Sequence, residues 1–199
     1  MYQTKIYVDV DDVIFNTSEL VIDLLNKYYN IVPPKTIYDL KDWGFKSIYR
    51  QVDTKILEEF WESDEFFDNV KINEDFYKFY KKTSNDIYYW VFITKGTKEN
   101  LQKKKKLLQK YFSKFDFYGL SPNEKKTNLD LSDGIQIDDN YSNLLSNALF
   151  KILVKNFHEA DYNQVLENHT DLYIVNDWKD IINILNFYKD NMQLLESEI

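Results

Sequence analysis

The apolar positions of the chain follow two periods. Residues 5–10 form a short apolar run that stops in acid, at Asp9, Asp11 and Asp12. Such a run reads as a buried strand and its exit. Beyond it, Leu20, Val21, Leu24, Leu25 and Tyr28 recur at the spacing of one helix face. Thr17 or Ser18 is placed to cap that helix, and Pro33-Pro34 to end it. From Asp86 onward strand and helix alternate. Strands are expected at 87–94, 115–118, 134–137, 151–154 and 172–175, and helices at 98–112, 141–149 and 178–188, with a frayed or partly helical tail. The alternation predicts an α/β fold, a Rossmann-like parallel sheet with helices on both faces.

The stretch between the first strand and residue 83 breaks this rhythm. It is rich in aromatics and acids, and its helical pieces are short, for example 55–61 with Ile56, Leu57 and Phe60 on one side. A further helix at 74–82 turns Phe76, Phe79 and Tyr80 inward. The expected organisation is a core of residues 1–16 and 83–199, with residues 17–82 inserted after strand one as a small helical cap.

Composition narrows the chemistry. A hydrophobic content of 44% with 17% aromatics gives 199 residues enough apolar surface for a packed core. No apolar run reaches the ~18 residues that a membrane span needs. The N-terminal residues do not form a signal peptide, and the cytoplasm is the expected compartment. The absence of cysteine excludes disulfides, zinc ribbons and thiol nucleophiles. His158 and His169 lie far apart in sequence, which argues against a histidine-centred metal site or a Ser-His-Asp triad. Any metal would be held by carboxylates, a donor set that favours a hard cation such as Mg²⁺. The net charge of -8 makes polymeric nucleic acid and acidic membranes poor partners. Arg50 is the only arginine, so bidentate recognition of phosphate is scarce.

In an open parallel sheet, ligands bind beyond the carboxyl ends of the strands. Three expected strand ends carry groups suited to a phosphate: Asp9-Val10-Asp11, Ile93-Thr94 and Ile137-Asp138-Asp139, with Lys125 and Lys126 between the last two. Carboxylates that converge on one point need a cation to stay ionised. Mg²⁺ would relieve that repulsion and receive a phosphate oxygen, while Thr94 and a lysine donate to the others. Asp9 and Asp11, two apart at a strand end, share a face. One can then attack phosphorus while the other serves the leaving oxygen as general acid.

Asp9-Val10-Asp11-Asp12-Val13 after an apolar strand resembles the first motif of the haloacid dehalogenase superfamily. Thr94 after Val91-Phe92-Ile93 resembles its second motif, Lys125 or Lys126 its third, and Asp138-Asp139 its fourth, in family order over most of the chain. Within that superfamily, Tyr38-Asp39-Leu40-Lys41-Asp42-Trp43-Gly44-Phe45, Ser63-Asp64-Glu65-Phe66-Phe67, Thr94-Lys95 and Lys126-Thr127 are similar to segments of the 5'(3')-deoxyribonucleotidases. The resemblance implies a phosphoric monoester hydrolase of nucleotide metabolism. Asp9 would become phosphorylated, and Asp11 would protonate the departing oxygen and then deprotonate the hydrolytic water. Mg²⁺ would be held by Asp9, the main-chain carbonyl of Asp11, and Asp138, with Asp139 either joining the metal site or capping the helix that follows. Thr94, Lys95 and Lys126 would bind the phosphoryl group, Lys126 being preferred over Lys125 because Thr127 follows it. Trp43, Phe45, Phe66 and Phe67 would enclose the base. The implied substrate is a small phosphorylated molecule, a nucleotide in the first place and a sugar phosphate in the alternative; nucleotidases of this kind often pair as homodimers. One departure stands out: Asn140 follows the Asp pair where the family carries Arg or Lys, and Lys95 is the compensating cation.

Other features have plainer readings. The run Lys103-Lys104-Lys105-Lys106 spreads around a helix and reads as solvated surface. Phe60 and Trp61 sit at helical spacing with Ile56 and Leu57 and read as core. Two non-enzymes compete with the phosphatase. A phospho-accepting receiver domain needs an Asp ending a middle strand ahead of Thr94, which the sequence lacks. A catalytically silent binding domain on the same fold has no need of both Asp9 and Asp11.

Overall fold

Six strands line up as one sheet in this computed structural model, which describes residues 3–42, 44–50, 52–83, 87–155 and 171–197. They are β1 (Thr4–Asp9), β2 (Tyr88–Lys95), β3 (Asp116–Leu120), β4 (Gly134–Asp138), β5 (Phe150–Val154) and β6 (Leu172–Val175), in the spatial order β3-β2-β1-β4-β5-β6. Every neighbouring pair is parallel. The central strands are buried on both faces, which explains why they read as nearly continuous apolar runs. The order reverses at β1, flanked by β2 and β4, and a crevice opens there at the carboxyl ends.

Alternation along the strands separates two layers. Ile6, Val8, Trp90, Phe92, Ile135, Ile137 and Ile152 face the larger one. Helices α4 (Glu74–Thr83), α5 (Lys98–Tyr111) and α6 (Trp178–Ser197) cover it. Phe76 of α4 lies at its centre, its ring 4.5 Å from that of Trp178 and 5.4 Å from that of Trp90. Tyr7, Val91 and Ile93 face the smaller layer, with Leu120, Leu131 and Ala148. The described connections on that side carry only short 3-10 turns, Lys126–Asn128 and Tyr141–Leu144. The helix expected at 141–149 is therefore a single turn. Its polar side chains bind elsewhere: Ser142 to Asn140, Ser146 to Gln136, and Asn147 to Leu131 N and Asp130. The bonds of Ser146 and Asn147 reach back to residues 130–136 and hold the chain out of a continued helix.

Between β1 and β2 the chain makes its long excursion. It leaves through a wide turn in which the N–H groups of Ile14 and Phe15 both donate to Val10 O, at 3.1 Å each. It returns where Asn16 N–H donates to Lys71 O (3.0 Å) and Asn73 N–H to Ile14 O (2.7 Å). This antiparallel stalk closes the base of a segment holding α1 (Thr17–Tyr29), α2 (Thr54–Glu62) and α3 (Asp64–Asn69). Helix α4 follows the stalk and packs on the sheet. The first turn of α1 is anchored by Asp12 rather than by a cap at Thr17 or Ser18: the Asp12 carboxylate accepts from Ser18 N (2.8 Å), Thr17 Oγ1 (3.0 Å) and Ser18 Oγ, which also places an anion at the helix N-terminus. No described helix is long and apolar enough to cross a membrane.

The exit turn is pinned from across the molecule, since the buried indole N–H of Trp178 donates to Val13 O at 2.7 Å. Trp178→Phe keeps an aromatic ring but leaves that carbonyl unpaired. It is expected to lower unfolding free energy by about 1–3 kcal/mol, read as a lower denaturation midpoint at unchanged m-value. An unchanged midpoint would show that the bond contributes nothing.

Candidate active site

Strand register brings the three motifs together. Val8 pairs with Ile137 and Asp9 with Ile93, so Asp9 and Asp138 end adjacent strands and Thr94 comes next on the other side. Asp9, Asp138 and Asp139 are all buried, with carboxylate oxygens within 4.8 Å of one another. Lys126, 2% exposed, reaches between two of them, its Nζ 2.7 Å from Asp9 Oδ2 and 2.7 Å from Asp138 Oδ2. Burial alone would favour the neutral amine, but Asp138 and Asp9 outweigh it and hold the ammonium above its ordinary range. Lys125 is exposed, so Lys126 is the one of the two adjacent lysines that enters the cluster. The other oxygen of Asp138 accepts from Asn140 N and Asn143 Nδ2, each at 3.0 Å. Asn140 caps the following turn, and Asp139 joins the acid cluster instead. Asp139 Oδ2 has no hydrogen-bond partner among the described residues.

A second lysine was not anticipated. Lys104 of α5 is 6% exposed, and its Nζ donates to Asp11 Oδ2, to Thr94 Oγ1 (2.9 Å) and to Lys95 O (3.1 Å). Thr94, fully buried, turns its own hydroxyl to Asp11 Oδ2 at 3.0 Å. The expectation that residues 103–106 form solvated surface therefore fails at Lys104. A signal was present: Lys104 falls three residues after Leu101 and four before Leu108, on the apolar stripe of α5.

Above the cluster lies a cavity of about 530 Å³. Its floor includes Asp9, Asp11, Asp139, Lys95, Lys104 and Lys126; opposite stand Phe45 and one face of α2, with Thr54, Glu58, Trp61 and Glu62. Phe45 is aimed by its loop. The Asp42 carboxylate gathers the N–H groups of Gly44 (3.0 Å), Lys46 (3.0 Å) and Ser47 (2.6 Å), and Phe45 adopts a left-handed φ of 57°. Partial burial opposes ionisation of Asp42, but Ser47 and these N–H donors hold its carboxyl below the ordinary range. Two aromatic expectations need correction. Phe66 and Phe67 do not line the cavity: both are buried against each other in the core, ring centroids 5.2 Å apart, because they follow the N-cap Ser63 on the inward side of the short helix α3. Trp61, expected in the core, lines the cavity in their stead. Trp43 lies outside the described residues, as do His158 and His169. The roof is tied to α5 by Thr97 Oγ1 donating to Glu62, Asn100 Nδ2 to Trp61 O (2.6 Å) and Lys103 Nζ to Asp64 (2.8 Å).

No protein-family model and no curated protein matches the sequence. Solved structures match in shape over nearly the whole chain. A HAD-superfamily hydrolase of subfamily IA from Geobacter sulfurreducens aligns at TM-score 0.53 and 13% identity, covering 92% of this chain and 96% of that one. A provisionally assigned beta-phosphoglucomutase from Thermotoga maritima aligns at 0.54 and 15%, covering 92% and 99%. The provisionally assigned HAD-hydrolase YfnB from Bacillus subtilis, bound to magnesium, aligns at 0.56 and 12%, covering 94% and 100%. The fold is that of the haloacid dehalogenase-like hydrolases.

Within this haloacid dehalogenase-like frame the donor set fits a hard divalent cation. Four carboxyl groups (Asp9, Asp11, Asp138 and Asp139) meet two ammonium groups (Lys104 and Lys126), so that all four can be ionised together only with a further cation present. The donors are all oxygen, and Asp139 offers a buried oxygen with no described partner. Burial pushes the Asp9 carboxyl up to about 7, reinforced by Asp138 and Asp11 and opposed by Lys126. Burial, with Asp9 and Asp138, also raises Asp139 well above the usual carboxylate range. Groups raised in this way hold protons until the pH climbs past them, so a metal must displace those protons. Mg²⁺ affinity is expected to strengthen as pH rises through about 7 and to weaken below it. Titration calorimetry in two buffers of different ionisation enthalpy should show proton release; equal heats in both buffers would refute it.

Proposed function

We propose that this chain is an Mg²⁺-dependent phosphatase that hydrolyses nucleoside monophosphates through an aspartyl-phosphate on Asp9. The observation that carries the reading is the meeting of Asp9, Asp11, Lys126 and Asp138 at the switch point of the sheet, beneath a cavity large enough for a small ester. The Asp9 carboxylate would attack phosphorus and form a P–O bond as the ester P–O bond breaks. Asp11 would give a proton to the departing oxygen. In the second half, Asp11 would take a proton from water as that water attacks phosphorus and frees Asp9 and inorganic phosphate. Lys126 holds Asp9 in place, and Lys95, at the end of β2 and on the cavity wall, is available to the phosphoryl oxygens. Asp9, the Asp11 carbonyl and Asp138 would hold Mg²⁺, with Asp139 behind them; the bound ion supplies charge neutralisation at the phosphoryl oxygens.

The cavity is polarised. All three of its lysines are on the floor, whereas the α2 wall carries Glu58 and Glu62 and no cation. That suits a substrate with one phosphate and an otherwise non-anionic remainder. Phe45 and Trp61, packed edge to face at 6.4 Å, give the cavity an aromatic wall, which favours the nucleotide. The pairing of Trp61 with Glu58 and Glu62 equally suits hydroxyl donors, and on that observation a sugar monophosphate is the second reading.

Phosphate release from nucleoside 5'- and 3'-monophosphates, sugar phosphates and an aryl phosphate tests both readings, with Mg²⁺ and with a chelator. Mg²⁺-dependent release strongest on deoxynucleotides is expected, with Asp9→Asn folded and slower by roughly 10³-fold or more. Turnover retained in that variant would remove Asp9 as nucleophile. Release confined to sugar phosphates would select the second reading.

Stacking on a nucleobase contributes roughly 1–3 kcal/mol in single-strand binders. Trp61→Ala is therefore expected to raise KM for a nucleotide by about 10-fold or more while sparing a small alkyl phosphate. Equal changes on both would take Trp61 out of substrate recognition.

A further inference from the structure

The lysine that emerged from α5 has a geometry that a surface residue does not need. An ammonium has three N–H donors. All three of Lys104's have acceptors, namely Asp11 Oδ2, Thr94 Oγ1 and Lys95 O. None is left for a substrate phosphate. Thr94 spends its single hydroxyl proton on the same Asp11 Oδ2. Asp11 thus receives two donors on one oxygen, while its other oxygen has no hydrogen-bond partner among the described residues and the residue lines the cavity.

We propose that Lys104 is a positioning residue for Asp11, fixing Oδ2 against the protein so that Oδ1 is the oxygen that exchanges protons with the leaving group and with water. This rests on the phosphatase reading above, in which Asp11 is the proton donor. With Oδ2 occupied by two donors, a proton on Asp11 resides on Oδ1. Turning the carboxyl group away altogether would take from a buried ammonium its one anionic acceptor, an arrangement that proteins avoid. As the proton leaves Oδ1 for the ester oxygen and the P–O bond breaks, negative charge grows on Asp11 beside a fixed cation, already oriented before the reaction begins. Lys126 serves Asp9 and Asp138 while Lys104 serves Asp11 and Thr94, so the two lysines divide the nucleophile from the proton donor.

The test uses the dependence of rate on the leaving group. An ester with a poor leaving group, such as an alkyl phosphate, needs proton donation; p-nitrophenyl phosphate, whose leaving group is stable as an anion, needs little. The measure is kcat/KM, which reports transfer to Asp9. Lys104→Met is expected to lower it for alkyl esters by roughly 10²-fold, the lower end of general-acid contributions, and for p-nitrophenyl phosphate by no more than about 3-fold. Lys104→Gln keeps a donor of similar reach and carries the same test if the Met variant does not fold; its selective loss should be smaller. Lys106→Met, on the exposed side of α5, serves as control. A uniform fall across the ester series would assign Lys104 to phosphate binding or to the fold and overturn the inference, as would no fall at all. Asp11→Asn run beside them separates the two levels. If Asp11→Asn shows the leaving-group dependence and the Lys104 variants do not, only the positioning role is lost. If Asp11→Asn shows none, the phosphatase assignment of Asp11 fails and takes the inference with it.

Discussion

Two carboxylates at the ends of neighbouring buried strands repel each other, and the contact that makes their adjacency tolerable is Lys126. Its Nζ stands 2.7 Å from both Asp9 and Asp138, out of solvent. Removing one partner from such a group costs far more than the whole arrangement contributes, because the others remain buried and uncompensated. The architecture around it follows from that constraint. The 3-10 turn that carries Lys126 must sit beneath the carboxyl ends of β1 and β4, and the chain on that face is drawn into short turns. Even with Lys104 included, the four carboxyl groups outnumber the two paired lysines, and Asp139 is left with an oxygen that has no partner among the described residues. That oxygen-only donor set is one that a hard divalent cation would fit.

The excursion after β1 answers a second requirement, that the cluster be covered without being filled. The stalk at 14–16 and 71–73 fixes where the covering segment begins and ends. Bonds from Thr97, Asn100 and Lys103 fix how the end of α2 meets α5. Gly96 belongs to the same contact: a Cβ there would lie 2.3 Å from Asn100 Oδ1, so a larger residue would push away the side chain that holds Trp61. The core of the sheet and the roof of the cavity are thereby linked through one loop, residues 94–97, which also presents Thr94 and Lys95.

How much of this was legible in the sequence depended on how local its cause was. The central strands were readable because burial on both faces leaves continuous apolar runs, whereas the edge strands β3 and β6 are largely exposed and showed only as short apolar and aromatic stretches. The meeting of Asp9, Thr94 and Asp138 was readable because strand ends are where such a sheet gathers its chemistry, whereas Lys126 comes from a 3-10 turn and was singled out by its place ahead of Thr127. The turn at 141–144 was not readable, since the apolar spacing there is helical while Ser146 and Asn147 are committed to partners set by tertiary structure. Phe66 and Phe67 could not be separated from Trp61, because all three are aromatic residues on short helices and only the orientation of those helices decides which ring meets the cavity. Lys104 was hidden by its neighbours. Four lysines in a row read as one solvated block, although the position itself lies on the apolar side of α5.

That last case shows what the acid-rich site requires of the rest of the chain. With one arginine in the whole sequence and an asparagine at position 140, cations for a phosphate centre must come from lysines. A lysine is a point charge on a long stem and does not hold a carboxylate by shape as a guanidinium does. Fixing one in place takes burial and more than one acceptor. Lys126 finds carboxylates on two strands, and Lys104 finds a carboxylate, a hydroxyl and a carbonyl. Lys95, at the end of β2 and on the cavity wall, has no side-chain acceptor among the described residues, and Lys126 keeps one N–H beyond its two carboxylate partners, so both can face an incoming anion. The lysines of the cavity floor thus stand against the carboxylates of α2, and under the proposed function a substrate's phosphate and its remainder would meet walls of opposite character.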